Sequence, residues 1–268
     1  MYRIRPIESR HNPRLKELRS ALLKPVSKSG GRGDLAALEG FHLVEEAFAS
    51  GIAVRTIFVA AGRETVLDAL NVPASVEIFS VPEAILAATV TTESPQPIAA
   101  LAALPAWRWP ELLRGVSPLL IVLSGLQDPG NLGTILRSAE AFGATGAILL
   151  PGTVSPWNPK VMRASAGSVF RLPTLATSAD TCFARLASAS VSAVAAVAHD
   201  DETLPASNLF SGPLALVIGS EGAGIPVEIL ARCAHRVTIP CPGPVESLNA
   251  AVAASILMYE ASRARRRG

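Results

Sequence analysis

From Leu119 to Ile239 the chain alternates five short, mostly apolar runs with stretches of helical spacing, and few folds accept that pattern. The runs are Leu119–Leu123, Gly146–Leu150, Val191–Ala198, Leu214–Ile218 and Arg236–Ile239. Helical spacing falls at Leu132–Phe142, Asn158–Ala164, Ala179–Ala189, Pro226–Ala231 and Leu248–Arg263. Strands apolar on both faces and joined by helices predict an α/β fold whose parallel sheet is covered on each side. Ligands of such sheets sit beyond the C-terminal strand ends, so the loops there are the place to look for chemistry.

The first 93 residues read as a smaller α/β unit. Leu15, Leu18, Leu22 and Leu23 lie at helical spacing in Pro13–Leu23, with Asn12 as a cap and Pro13 suited to the first helical position. A basic loop, Ser27–Gly33, leads to an apolar run at Leu35–Leu38 and a helix over Phe41–Ala49. A strand at Val54–Ala60, a helix near Glu64–Leu70, a strand at Val76–Phe79 and a helix from Pro82 follow. Ser94–Pro118 holds five prolines together with Trp107 and Trp109, and it reads as a linker whose tryptophans pack. Residues 119–268 then form the second domain. A length of 268 residues suits two cores.

Composition narrows the class. With 49% hydrophobic and 17% charged residues the chain is not a disordered one. No run nears the roughly 20 apolar residues that cross a bilayer, and the charged start lacks an apolar signal core. Cys182, Cys233 and Cys241 are scattered without CxxC spacing, which argues against a disulfide framework and a zinc site. The expectation is a soluble cytoplasmic protein with neither metal nor membrane partner. His11, His42, His199 and His235 are dispersed and read as structural or surface residues. Net charge is only +2, yet residues 1–34 carry nine cations against three acids, and Arg263, Arg265, Arg266 and Arg267 crowd the end. Such clusters are either solvated ends or phosphate-contacting surfaces, and charge alone does not separate the two.

Three loops stand out. After Leu119–Leu123 comes Ser124-Gly125-Leu126-Gln127-Asp128-Pro129-Gly130-Asn131, with Arg137 six residues further on. Its glycines do not make GxGxxG, so a dinucleotide fingerprint is absent. Asn131 is expected to cap the helix, leaving Arg137 able to share a face with the loop; a capping Asn and a plain surface Arg is the other reading. After Leu214–Ile218 comes Gly219-Ser220-Glu221-Gly222-Ala223-Gly224, three glycines around one acid, a tight turn able to approach a ligand closely. The third loop, Ile239-Pro240-Cys241-Pro242-Gly243-Pro244-Val245-Glu246-Ser247-Leu248-Asn249, is stiffened by its prolines and enters an Ala-rich helix that Ser247 is expected to cap. Glu246 reads as an exposed charge.

Together these loops resemble the SpoU (TrmH-type) branch of the SPOUT RNA methyltransferases. The N-x-G-x-x-x-R of Asn131–Arg137, the G-S-E-G-x-G of Gly219–Gly224 and the I-P-x-x-G-x-V-x-S-L-N of Ile239–Asn249 match that family's three motifs in order. Arg163–Phe170 also looks like a family segment. The first 92 residues more loosely resemble the ribosomal-protein-like RNA-binding domain found ahead of many members, including Glu39–Glu46. Cys241 departs from the Met or other apolar residue usual at its position.

The resemblance implies a SPOUT-type α/β sheet with a C-terminal trefoil knot, a homodimer, and S-adenosylmethionine (SAM) bent into the knot. Ordinary chain topology gives no hint of a knot. By position, Gly219, Ile239 and Leu248 would hold the cofactor, with Ile218 beside the adenine. Arg137 is the residue the family marks as catalytic, and Asn131, Glu221, Ser247 and Asn249 would position it and the ribose. The implied reaction is methylation of a ribose 2′-hydroxyl in structured RNA, ribosomal RNA before transfer RNA. Alternatives are a non-catalytic RNA-binding protein on the same fold, a resistance methyltransferase sharing the chemistry, and a nucleotide-dependent enzyme on an ordinary doubly wound sheet.

Overall fold

Asn12 Oδ1 accepts a hydrogen bond from Arg14 N and Pro13 takes the first helical position, so helix α1 (Pro13–Leu23) starts where the sequence predicts. It buries Leu15, Leu18 and Leu22. The computed structural model describes residues 2–24, 34–92, 94–198, 209–244 and 247–266. Ser27–Gly33, His199, Val245, Glu246 and Arg267 of the sequence reading lie outside them.

The N-terminal sheet contains β1 (Ile4–Pro6), β2 (Leu35–Glu39), β3 (Val54–Ala60), β4 (Glu77–Val81) and β5 (Ile98–Ala103), in the order β1-β4-β3-β5-β2. Strand β4 pairs in parallel with β1 and β3, whereas β5 runs antiparallel to both β3 and β2. Helix α2 (Phe41–Ala49) packs on this sheet, as does α3 (Glu83–Thr89), and Glu64–Ala69 is a 3₁₀ turn where an α-helix was expected.

Strand β5 corrects the linker expectation for Ser94–Pro118. Pro95 and Pro97 precede the strand and Pro105 follows it, so the breakers flank a pairing segment and do not interrupt it. Its Ala-rich composition hides it from a β-propensity reading. Ala99, Ala100 and Leu101 are nonetheless fully buried, because small side chains let two layers close on a central strand. Helix α4 (Trp109–Leu112) follows, and Trp107 and Trp109 do pack, against the outer core of the second sheet.

That second sheet is all parallel. Its strands are β6 (Leu119–Leu123), β7 (Gly146–Leu149), β8 (Thr174–Ala176), β9 (Ser192–Ala196), β10 (Leu214–Ile218) and β11 (His235–Val237), ordered β11-β9-β10-β6-β7-β8. Every residue of β6 and β10 is buried, matching the apolar runs. The three-residue β8 was not foreseen. The helices are α5 (Pro129–Ala141), α6 (Pro159–Ser165), α7 (Ser168–Arg171), α8 (Ala179–Ser188), α9 (Val227–Leu230) and α10 (Ala250–Arg265). Near the end of α10, Arg265 donates to the carbonyls of Phe210, Ser117, Pro118 and Gly212, which ties the last helix to the starts of β6 and β10. One apolar cluster runs through both sheets, joining Leu38, Val44 and Ile57 to Val161, Met162 and Val169. Each such side chain contributes about 1.5–3 kcal/mol when fully buried. Among the described residues no helix is long and apolar enough to cross a membrane.

Candidate active site

Strands β9, β10 and β11 end side by side, and beyond their C-terminal ends the chain leaves a cleft. Its floor is Ala196, Ile218, Gly219, Val237 and Ile239, and one wall is the start of α10 with Leu248, Ala250, Ala253 and Leu257. Ser220, Glu221, Cys241 and Ser247 supply its polar atoms. Ile218, Gly219, Ile239, Leu248, Glu221 and Ser247, all anticipated from sequence, thus meet in one place. The contributions of β9 and of Ala253 and Leu257 were not foreseen. Their only sequence signal is helical spacing of small and apolar residues on α10, which core packing produces equally well.

The turn after β10 is closed by a reciprocal pair of backbone hydrogen bonds, Ser220 N to Gly224 O at 3.1 Å and Gly224 N to Ser220 O at 3.0 Å. Closure brings the Gly224–Ile225 backbone against Gly219. A Cβ at Gly219 would stand 2.2 Å from the Gly224 carbonyl carbon and 2.4 Å from Ile225 N. Only glycine fits there, and the turn can then project Glu221 outward.

The loop after β6 differs from expectation in its cap. Asp128, not Asn131, is the N-cap of α5: its Oδ1 accepts from Asn131 N at 2.7 Å. The Asp-Pro sequence explains this, since Pro129 occupies the first helical position and moves the cap back to the residue before it. Asn131 then sits at the third helical position with its side chain free for other work. Likewise Asn249, not Ser247, caps α10, accepting from Ala251 N at 2.9 Å and Val252 N at 3.2 Å.

These two caps produce the central feature of the site. With its Oδ1 committed to the helix end, Asn249 donates through Nδ2 to Asn131 Oδ1 at 3.1 Å. Asn131 in turn donates through Nδ2 to Glu221 Oε1. Each amide is oriented by the one before it, and the chain ends on a carboxylate, which only accepts when ionised. Residues 118, 90 and 28 positions apart along the chain are thereby joined at the mouth of the cleft.

Arg137 stands apart from this chain. It is exposed on α5, six residues past Asn131, which places it about 120° round the helix from Asn131. Ser138, not Arg137, shares the Asn131 stripe, and it meets Ser255 of α10 at 2.7 Å. Ser247 is also exposed, at the cleft rim. Cys241 Sγ donates to Ile239 O at 3.4 Å, so the thiol turns back on its own loop. His11 and His42 are exposed and His235 is half-buried, all away from the cleft.

A family model described as the SpoU rRNA Methylase family matches residues 118–259, and one described as an MRM3-like substrate binding domain matches residues 12–100. The chain is similar to an uncharacterized tRNA/rRNA methyltransferase of Synechocystis, with 36% identity over 97% of this chain and 94% of that protein. It is similar to the 23S rRNA (guanosine(2553)-2′-O)-methyltransferase RlmP of Bacillus subtilis, with 31% identity over 96% of this chain and 98% of that one. In three dimensions it is similar to the SpoU methyltransferase AviRb of Streptomyces viridochromogenes in complex with the cofactor AdoMet. That match has a TM-score of 0.82 and 28% identity, and it covers 96% of this chain and all, 100%, of the other.

Proposed function

The chain belongs to the SpoU rRNA methylase family and is a SAM-dependent RNA methyltransferase, and from that membership we propose that it methylates a ribose 2′-hydroxyl of structured RNA, ribosomal RNA by preference. The observation that carries this reading is the Asn249–Asn131–Glu221 chain, which gathers all three loops at the mouth of the cleft. A degenerate site on an RNA-binding protein would have no reason to keep it.

The residues present fit the cofactor. Ile218, Ile239, Leu248 and Leu257 offer apolar surface for a flat adenine, the glycine turn admits close backbone contact, and Glu221 brings negative charge to the rim of a site for a cation. Gly219, Ile239 and Leu248 would hold SAM mainly through backbone groups, with Ile218 against the base. When bound, SAM supplies a methyl group on a cationic sulfur, an electrophile that needs no metal. The protein's own task is alignment and charge. Arg137 holds the phosphate beside the target ribose and stabilises the oxygen as its proton is lost. That is an electrostatic role, because a guanidinium hardly ever gives up its proton. Asn131, Glu221, Ser247 and Asn249 fix the ribose edge of the site.

The small domain would select the RNA. Arg3, Arg10, Lys16, Arg19 and Lys24 are exposed there, while Arg5 and Arg14 pair with Glu77. A homodimer is the natural assembly. Val252, Ile256 and Tyr259 of α10 form an exposed apolar stripe at helical spacing, with Phe142 edge-on to Tyr259 and Arg263 over its ring. A knotted passage of the C-terminal loops and a cytoplasmic location, where ribosomal RNA and SAM occur, complete the reading.

The direct test is transfer of a tritiated methyl group from SAM into unmodified ribosomal and transfer RNA. Label is expected in ribosomal RNA at the 2′-position. Label confined to transfer RNA moves the substrate, and none in either, with SAM bound, favours the non-catalytic alternative. Sedimentation velocity checks the assembly: the expected mass is twice that of one 27.9 kDa chain, and a single species at that chain mass rejects the homodimer.

A further inference from the structure

Between the two domains lies a cluster of charges that the proposed reaction does not use. Arg163, in the last turn of α6, donates through Nη1 to Glu39 Oε2 at 2.6 Å. Glu39 ends β2, and its side chain is only 3% exposed. Its other oxygen accepts from Thr91 Oγ1 at 3.0 Å and from Thr91 N, so this carboxylate is fully engaged. Arg171, at the end of α7, reaches further. Its Nη1 donates to Glu46 of α2 and to Ser50 Oγ, while Nε and Nη2 grip the two oxygens of Glu140 on α5. One planar guanidinium thus bridges a helix of the first domain to a helix of the second.

The backbone between the two arginines is shaped for this contact. Ala166 and Gly167 both adopt positive φ, +47° and +84°, folding α6 sharply into α7. The bend presses Gly167 onto the side chain of Glu46, where a Cβ would lie 2.5 Å from Oε2. Domains in one chain move relative to one another by default, unless their interface is large and apolar. Here the shared apolar cluster lies beneath, and two arginine bridges lie on top. Glu140, the anchor on the second domain, sits one turn beyond Arg137 on the same helix.

We propose that the α6–α7 elbow is a coupling device that holds the RNA-selecting domain at one fixed angle to the turn of α5 presenting Arg137, with Arg163 and Arg171 as its positioning residues. This rests on the reading of the N-terminal domain as the RNA-binding one. RNA seated on that domain is then delivered to the cleft in a single register. Delivery that fails by an ångström costs turnover far more than binding, since alignment enters the reaction step and not the docking step.

The test uses the full chain with Arg163→Ala and Arg171→Ala combined, beside Arg163→Lys and Arg171→Lys combined. The double alanine variant is expected to lose at least about tenfold in kcat, as expected of misplaced reactants, with RNA and SAM dissociation constants within about twofold of the wild type. The double lysine variant, which keeps the charges but not the planar fork that lets Arg171 hold Glu46 and Glu140 together, is expected to recover only part of that loss. Small-angle scattering of the alanine variant is expected to show a greater maximum dimension. Turnover within twofold of wild type overturns the proposal. So does a loss of kcat that is accompanied by a parallel loss of SAM affinity and melting temperature, because the role is then structural. Absence of RNA methylation by the wild type defeats the functional reading instead, and scattering alone then judges the elbow: an unchanged dimension rejects it.

Discussion

Arg137→Ala is expected to lower methyl transfer by at least about 10²–10³-fold while leaving SAM affinity within about twofold and stability within about 0.5 kcal/mol, the usual range for a surface substitution. The residue is exposed on α5 and has no side-chain hydrogen bond or ion pair among the described residues, so the folded protein loses nothing when it is truncated. A guanidinium kept on the surface without an acid is free to take an RNA phosphate. Removing one preorganised donor from a developing oxyanion costs about 10²–10³ in turnover. Arg137→Lys keeps the charge but not the planar fork and should fall between the two. Single-turnover transfer to RNA, together with equilibrium binding of labelled SAM, separates the two effects. Wild-type turnover in the alanine variant would remove Arg137 from the active site and with it the proposed origin of the rate.

The second large effect is expected at Gly219. An added methyl group meets backbone, not the end of a flexible side chain: the Gly224 carbonyl carbon and oxygen at 2.2 and 2.3 Å and Ile225 N at 2.4 Å. Relief requires opening the Ser220–Gly224 turn, which lines the cleft and carries Glu221. Gly219→Ala should therefore weaken SAM binding by at least about 100-fold, equivalent to roughly 2.7 kcal/mol, and lower stability by about 1–3 kcal/mol as overpacked sites do. Gly222→Ala is the internal control. Nothing lies within 4 Å of a Cβ there, so near-normal binding is expected. Calorimetric titration of SAM into both variants reads the contrast, and equal behaviour of the two would mean that the turn does not shape the cofactor site.

That contrast also marks how far the sequence could be read. The motif Gly219–Gly224 announces a tight turn, but its three glycines look alike on paper. Only the folded backbone reveals that Gly219 is pressed by the Gly224–Ile225 backbone of its own turn while Gly222 faces open space. The helix caps teach the same lesson. Asn131 and Ser247 are plausible caps by residue type, yet Asp128 and Asn249 take those places, because Pro129 fixes one helix start and the loop path fixes the other. Losing the capping role is what frees Asn131 to join Asn249 to Glu221. The misplaced linker has a related origin, since a strand made of Ile, Leu and Ala between prolines shows its nature only by its partners on either side.

What the sequence determined by itself was the local and periodic part: the apolar runs of β6 and β10, the amphipathic α1 and α2, and the tight, glycine- and proline-shaped loops that follow the strands. Those features follow from short-range sterics and hydrophobic spacing, which neighbouring residues fix among themselves. What the tertiary structure decided was everything that depends on separate segments meeting. The strand order that lines β9 up beside β10, the hydrogen-bonded amide chain and the arginine bridges across the domains all join residues far apart in sequence. Such contacts gain their free energy only after the chain has paired its strands and closed its core, so no stretch of sequence carries them alone.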